Sequence, residues 1–430
     1  MNGDRSTVIF FPEGAFGPTN NCVGIGDVLR RRGHRVVFII EESFEGTLEK
    51  QGFEERLMRL TPPPEVEEVP GQFWKEFIRE TAPVFRHPTI DQLAEFIAPT
   101  FQALIDGARY VDDRLLEIID EVEPDLVVED NVVTFPALLT NGRPWARIAS
   151  CNPTEMKDPD VPPPFCGLPA GDRAAWPDHW DAYRAALGEM HGSFSEYCRQ
   201  RGAAALPADD FIHESPLLNL YLFPQEIDYS RASPLGASWH NLQASVRATD
   251  PDWALPPSLG EEGPLIYLSL GSLGSADVSL MEKLVAELAD APYRVIVSKG
   301  PQAGEYELAE NMVGEEFLPQ TAILPQVDLV ITHGGNNTVT ESLFFGKPMV
   351  ALPLFWDQYD NAQRLDETGV GIRLDTYGHD GGELTGAIDR LLGDEALAGR
   401  LASMSADLRA FEGTRRAADL IESAIAGSAG

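Results

Sequence analysis

The sequence predicts an α/β fold, two doubly wound domains facing each other across a cleft. Three observations predict it. Continuously apolar runs recur along the chain, as strands buried on both faces of a parallel sheet require. Each run ends in a loop leading into a stretch of helical periodicity, the alternation of a wound sheet. The series breaks once, over a Pro- and Gly-rich segment at 231–263, and then begins again. The expected division is an N-terminal domain over 1–230, a linker over 231–263, a C-terminal domain over 264–410, and a final helix over 411–430 able to pack back on the first domain.

Val8-Ile9-Phe10-Phe11 reads as a buried strand ending at Pro12. The stretch from Pro12 to Asn21, rich in Gly, Pro and Asn, reads as a loop. A helix follows from about Cys22 to Arg32, stopped by Gly33, and Arg35–Ile40 is the next strand. That is a βαβ unit. Residues from about 72 to 121 carry helical periodicity through Phe73, Trp74, Phe77, Phe85, Leu93, Phe96 and Phe101. Asp125–Val128 is a further strand, the proline-rich 151–176 is loop, and Leu218–Leu222 closes the first half. Beyond the linker, strands Leu265–Leu270, Arg294–Ser298, Leu329–Thr332 and Met349–Leu352 are interleaved with helices Ser279–Ala289, Asn337–Phe345 and Asp360–Thr368. Helices near 384–393, 395–411 and 413–426 finish the chain.

The 430 residues include 33 Lys+Arg and 68 Asp+Glu, a net charge of −35, with 43% hydrophobic residues. That apolar fraction supplies a core to each half and excludes disorder. The acid excess disfavours nucleic acid and anionic membranes as partners, because both need clustered cations. The basic run Arg30-Arg31-Arg32 sits where a helix ends, complementing its dipole. Cys22, Cys151, Cys166 and Cys198 show no CxxC spacing, so reduced thiols are expected. The first apolar run is too short for a signal h-region, and no stretch approaches the ~20 apolar residues of a membrane span. A cytoplasmic protein is the expectation.

The most informative stretch is Thr332-His333-Gly334-Gly335-Asn336-Asn337-Thr338-Val339-Thr340-Glu341, at the junction of a buried strand and a helix N-terminus. Open α/β sheets bind ligands at the carboxyl ends of their strands, and a helix start presents free N–H groups to an anion. Gly334 and Gly335 let the backbone approach a pyrophosphate, while His333, Asn337 and Thr338 can donate hydrogen bonds. Glu341, acceptor-only when ionised, suits a ribose diol. Gly271-Ser272 repeats the design after another strand. Asp357 and Gln358 follow a third and suit sugar hydroxyls, and Phe317-Leu318-Pro319-Gln320 offers an aromatic ring and an amide to a flat base.

The pattern His333-Gly334-Gly335-x-Asn337-Thr338-x-x-Glu341, followed by Pro353-Leu354-Phe355-x-Asp357-Gln358, resembles the signature of the UDP-sugar-dependent glycosyltransferases of GT-B fold, notably the bacterial natural-product enzymes. Gly271-Ser272 and Phe317-x-Pro319-Gln320 fall where that family has matching elements. The resemblance implies two Rossmann-like domains, with the nucleotide sugar in the second and the acceptor in the first. It implies that Phe317 stacks on uracil with Gln320 nearby, and that Gly271, Ser272, His333, Gly335, Asn337 and Thr338 hold the diphosphate side. Glu341 would then bind ribose, and Asp357 with Gln358 the sugar, with glucose the expected hexose. The reaction implied is an inverting hexosyl transfer to a small-molecule acceptor.

That family usually carries a Gly-His-x-Asn motif in the first loop, whose His deprotonates the acceptor under the guidance of an Asp. Here the stretch is Phe16-Gly17-Pro18-Thr19-Asn20, and Pro18 cannot act as a base. Asn20 matches, and Asp130 stands where the partner Asp belongs. Three accounts are open: Asp130 acts alone, Glu13 or Glu129 substitutes, or the acceptor is a phenol, amine or carbon nucleophile needing little deprotonation. Phe16, Trp74, Phe77 and Phe85 are candidates for an apolar acceptor wall, although rings at helical spacing are more often core. The scattered histidines show no metal pattern, Gly24-x-Gly26 lacks a third glycine, and no cofactor beyond the UDP-sugar co-substrate is expected. The rival reading, motivated by Pro18, is a non-catalytic nucleotide-sugar-binding protein.

Overall fold

The structure, a computed structural model, describes residues 5–62 and 80–428. Its first sheet holds β1 (Thr7–Pro12), β2 (Arg35–Ile40), β3 (Glu54–Leu57), β4 (Leu126–Asp130), β5 (Trp145–Ala149), β6 (Leu218–Tyr221) and β7 (Trp239–Asn241), in the order β3-β2-β1-β4-β5-β6-β7. The second holds β8 (Leu265–Ser269), β9 (Arg294–Ser298), β10 (Met312–Glu315), β11 (Leu329–Thr332), β12 (Met349–Ala351) and β13 (Gly371–Arg373), in the order β10-β9-β8-β11-β12-β13. The pairings recorded in both sheets are parallel. Helices cover both faces of each sheet, which is why the central strands are apolar without alternation. Strand order reverses between β1 and β4 and again between β8 and β11, with Pro12 beside Asp130 and Thr332 beside Ser269. A crevice opens at the carboxyl ends of strands at such points. Both halves of the candidate site lie there.

The helices that position it are α1 (Phe16–Arg31), α2 (Ala98–Val122), α3 (Trp176–Gln200), α4 (Val278–Leu288), α5 (Asn336–Phe344), α6 (Gln358–Thr368), α7 (Gly381–Leu392), α8 (Glu395–Phe411) and α9 (Gly413–Ser428). The first departs from expectation. It begins at Phe16, not Cys22, so Phe16–Asn20 is helix in place of the expected loop. Pro18 fits because the N–H it lacks belongs to the first turn, where no intrahelical acceptor exists. The periodicity expected over 72–121 is helical from Thr89 through a π turn at Leu93–Ile97 into α2, and its earlier part, with Trp74 and Phe77, lies outside the described residues. β7 falls inside the segment expected to be linker.

α9 returns to the first domain. Its Ala417, Ala418 and Ile421 share a core with Val8, Phe10, Ile25 and Leu29, and Arg32 meets Asp419 and Glu422 at 2.8 Å each. The domains also bond directly across the cleft. Asn336 Nδ2 on α5 donates to the Ser150 and Leu222 carbonyls at 2.7 and 2.9 Å. Arg364 on α6 donates to the Ile227 and Asp228 carbonyls at 2.6 and 2.7 Å. Among the described residues no helix is long and apolar enough to cross a membrane, and the four cysteines are free thiols.

Candidate active site

β11 ends at Thr332 and α5 starts at Asn336, with Gly335 as an N-cap that makes no side-chain capping bond. The first-turn N–H groups therefore face the crevice without an intrahelical acceptor, at the positive end of the helix dipole. Gly334 holds φ +85°, and a Cβ there would stand 2.9 Å from the Gln358 carbonyl oxygen, so no other residue makes this turn. The His333 imidazole is wedged between two glycines: a Cβ on Gly271 would come within 2.8 Å of its Cε1, and one on Gly335 within 2.5 Å of its Nε2. Burial pushes its pKa down to about 4, which makes the ring neutral at pH 7. Ser272 lies in the single helical turn Gly271–Gly274 on the same side. The side-chain oxygens of Asn336 and Asn337 are buried and lack a protein partner, so the turn keeps unused acceptor capacity.

One turn further on, Glu341 is fully buried and already engaged. Arg247 Nη1 donates to its Oε1 at 2.7 Å and Asn337 Nδ2 to the same oxygen at 3.1 Å, while Gln320 Nε2 donates to Oε2 at 2.6 Å. Gln320 also approaches the Thr338 hydroxyl at 3.4 Å. Arg247 is the residue that sequence reasoning missed. It lies within the segment expected to be featureless linker, makes a bidentate pair with Asp250 at 2.7 and 2.8 Å, and Asp250 in turn accepts from the Thr321 N–H and hydroxyl. Phe317, just ahead of this network, is 54% exposed. Asp357 Oδ2 accepts from the Asn152 N–H at 2.8 Å, and the Gln358 side-chain carbonyl is turned onto the Leu354 and Phe355 N–H groups. Both sit beside the His333 turn, and in this state both serve the protein.

Residues 249–408 match the family model described as UDP-glucoronosyl and UDP-glucosyl transferase. A zeaxanthin glucosyltransferase of Pseudescherichia vulneris is 31% identical over 321 residues, covering 72% of this chain and 74% of that one. The chain belongs to this glycosyltransferase family. A demethyllactenocin mycarosyltransferase of Streptomyces fradiae is similar at 24% identity, over 98% of this chain and 87% of its own. The crystal structure of the glycotransferase of kitacinnamycin shares the fold with a TM-score of 0.70 at 22% identity, covering 98% of this chain and 100% of that chain. A spinosyn rhamnosyltransferase complexed with thymidine diphosphate shares it with a TM-score of 0.58 at 19% identity, over 94% of this chain and 96% of that chain. The fold is GT-B, and the protein is a UDP-dependent glycosyltransferase.

The transferase's other half lies at the ends of β1 and β4. Asp130 is buried, accepts from the Ser150 hydroxyl, and is pushed up to about 8 mainly by burial. Asn21 Nδ2 supports Ser150 at 3.0 Å. Glu13 follows β1, bonds the Asp130 carbonyl through its N–H at 2.9 Å, and is raised to about 7 by burial and then by Glu155. Glu129 is fully buried opposite Arg147 of β5, its oxygens make no well-formed hydrogen bond, and burial raises it to about 8 against the pull of the Arg147 charge and the nearby Asn131 side chain. Asn20 is half-buried on α1, and Gly17 approaches Asn337 of the opposite domain, a Cβ there standing 4.0 Å from that of Asn337.

Beside Asp357 is a small cavity of about 30 Å³ lined by Phe101, Phe165, Phe211 and Trp356, with Cys151, Glu155 and Lys157 among its polar wall. Phe165 and Trp356 rings lie 4.7 Å apart, Phe101 and Trp356 5.2 Å, Phe101 and Phe211 4.5 Å. Phe165 and Trp356 hold φ of +66° and +57°, strained for bulky residues. Such strain collects at ligand sites. These rings form an apolar wall beside Asp357, while Trp74 and Phe77, the rings expected there, lie outside the described residues.

Proposed function

We propose that this transferase moves a hexose, glucose foremost, from UDP to a small aromatic acceptor with inversion at the anomeric carbon. The observation that carries the reading is the link across the cleft through Ser150, whose carbonyl accepts from Asn336 at the end of the His333 turn and whose hydroxyl donates to the Asp130 carboxyl of the other domain. In this reading Phe317 stacks on uracil with Gln320 at its edge, Glu341 takes a ribose hydroxyl, and Asp357 with Gln358 turn to the sugar. Gly271, Ser272, His333, Gly335, Asn337 and Thr338 surround the diphosphate.

The acceptor oxygen forms its bond to the anomeric carbon from the face opposite UDP. The bond from that carbon to the diphosphate oxygen breaks, and its electron pair leaves with UDP. The start of α5 stabilises the growing negative charge, so neither a metal ion nor a further cofactor is called for. Asp130 receives the acceptor's proton. A carboxyl raised to about 8 is matched to neutral-pH proton transfer, where a normal aspartate is too weak a base. Four converging rings favour a flat acceptor such as a phenol, and because they enclose only about 30 Å³ they must part to admit one.

The experiment is incubation with UDP-glucose and, in parallel, phenol, amine and aliphatic alcohol acceptors, with mass spectrometry for a hexosyl gain. Transfer to phenols ahead of alcohols is expected. Thymidine diphosphate donors belong in the same screen, because the spinosyn rhamnosyltransferase of the same fold is complexed with that nucleotide. No transfer to any acceptor would overturn the reading.

A further inference from the structure

Four large hydrophobic side chains stand exposed among the described residues, and two of them touch each other across the domain boundary. Phe16, 46% exposed, is the first residue of α1 in the N-terminal domain; Phe317, 54% exposed, follows β10 in the C-terminal domain. Their ring centroids are 5.8 Å apart with planes inclined at 42°. Phe16 is held from behind by the buried Phe44, with centroids at 5.2 Å. Exposed apolar surface concentrated at one cleft edge marks a ligand contact. The polar groups behind it say which. Pro319 caps the short helix Gln320–Ile323, whose Gln320 reaches Glu341, and Glu341 leads along α5 to the His333 turn. Paired rings, then an amide and a carboxylate, then a turn of free N–H groups follow the order base, pentose, diphosphate.

We infer that Phe16 is a second wall for the nucleobase, so that the uracil of the donor lies between Phe317 and Phe16 and both domains bind the nucleotide. The inference rests on the reading of Phe317 as the stacking residue. A flat ring stacked on both faces needs wall centroids about 7 Å apart, with ~3.5 Å for each contact. The pair at 5.8 Å therefore opens by about 1 Å and turns parallel, a small hinge movement with no refolding. Phe16 can play this part because α1 begins early. Had the helix started at Cys22, the ring would lie on a loop with nothing to fix it opposite Phe317.

Titration calorimetry with UDP and with inorganic pyrophosphate tests this on the wild type and on Phe16→Ala, Phe16→Tyr and Phe317→Ala. Each alanine variant should raise the Kd for UDP about five- to hundredfold, the worth of one stacked face, and leave pyrophosphate within about twofold. Tyr at 16 should restore UDP binding. With saturating donor, the acceptor KM of Phe16→Ala should be unchanged. The inference is overturned if Phe317→Ala weakens UDP but Phe16→Ala does not, or if Phe16→Ala raises the acceptor KM alone. If neither variant affects UDP, the base-site reading falls with it.

Discussion

Asp130 and Glu129 are adjacent on β4, share a pKa raised to about 8, and differ in what their carboxyls can do. Asp130, at the carboxyl end of the strand, has the Ser150 hydroxyl to orient it toward the cleft loops. Asp130→Asn should lower kcat by about 10²–10⁴, the range for loss of a general base, with a much smaller change in acceptor KM. The wild-type rate should climb between about pH 7 and 9, because a base works in its ionised form. Pro18→His should add activity on aliphatic alcohols, since position 18 is in the first turn of α1, next to Gly17, which approaches Asn337 of the opposite domain. Glu129 makes no comparable hydrogen bond. Its carboxyl is raised above the ~4.3 of an unfolded chain, so the folded state holds a proton the unfolded state has shed. The stability linked to that proton is complete below about pH 4.3 and is lost as pH rises toward 8. Glu129→Gln should therefore raise Tm by about 3 °C or more at pH 8.5 and leave it nearly unchanged at pH 4.5, measured by calorimetry.

At the scale of elements, the interdomain segment reaches the candidate donor site through Arg247, which donates to Glu341. Removing one partner of a buried ion pair costs roughly 3–5 kcal/mol, because the other charge is left without compensation. Arg247→Met should thus destabilise the protein and weaken UDP binding at least tenfold, and adding Glu341→Gln should recover stability without recovering binding. The same geometry limits what Glu341 offers a pentose. Oε1 already receives two donors and Oε2 one, which leaves room for a single hydroxyl. A second hydroxyl on the carboxylate would be worth about 1.5–3 kcal/mol, so 2′-deoxy-UDP should bind within about fivefold of UDP by calorimetry. The His333 turn is legible in the sequence because strand end, glycines and helix start are contiguous and their backbone chemistry is local. Arg247 is not, since its partner Glu341 is 94 residues away and no spacing rule joins them. The sequence makes α1 too short because Gly17 and Pro18 are loop residues by composition, although a first helical turn tolerates both. β3 and β7 escape it for another reason: they are short edge strands, and β3 is mostly charged.

In the whole molecule, the wound sheets are legible from apolar runs, but the way the domains close is not, because it depends on side chains bonding to a distant backbone. Asp360 shows this. Composition makes it a first-turn acid of α6 that could merely cap the helix, yet its carboxylate accepts from four groups of the opposite domain. They are the Thr154 hydroxyl at 3.1 Å and the N–H groups of Phe165, Cys166 and Gly167 at 2.7, 3.0 and 2.8 Å. Those N–H groups belong to the segment that carries Phe165 into the aromatic cavity with its φ of +66°, so the bonds sustain a strained backbone. In Asp360→Asn the NH₂ replaces one oxygen and can donate to the Thr154 hydroxyl but not to an N–H, so at least the Phe165 N–H bond is lost and the bonds that remain no longer end on a charged acceptor. The segment should loosen while the His333 turn stays in place, because Asn336 and Arg364 still join the domains. Acceptor KM should rise at least about tenfold, the Kd for UDP should stay within about twofold, and amide hydrogen exchange should accelerate over 163–168 in particular. Equal losses of donor and acceptor binding, with exchange rising throughout, would mean instead that Asp360 holds the molecule together as a whole and has no special bearing on the acceptor side.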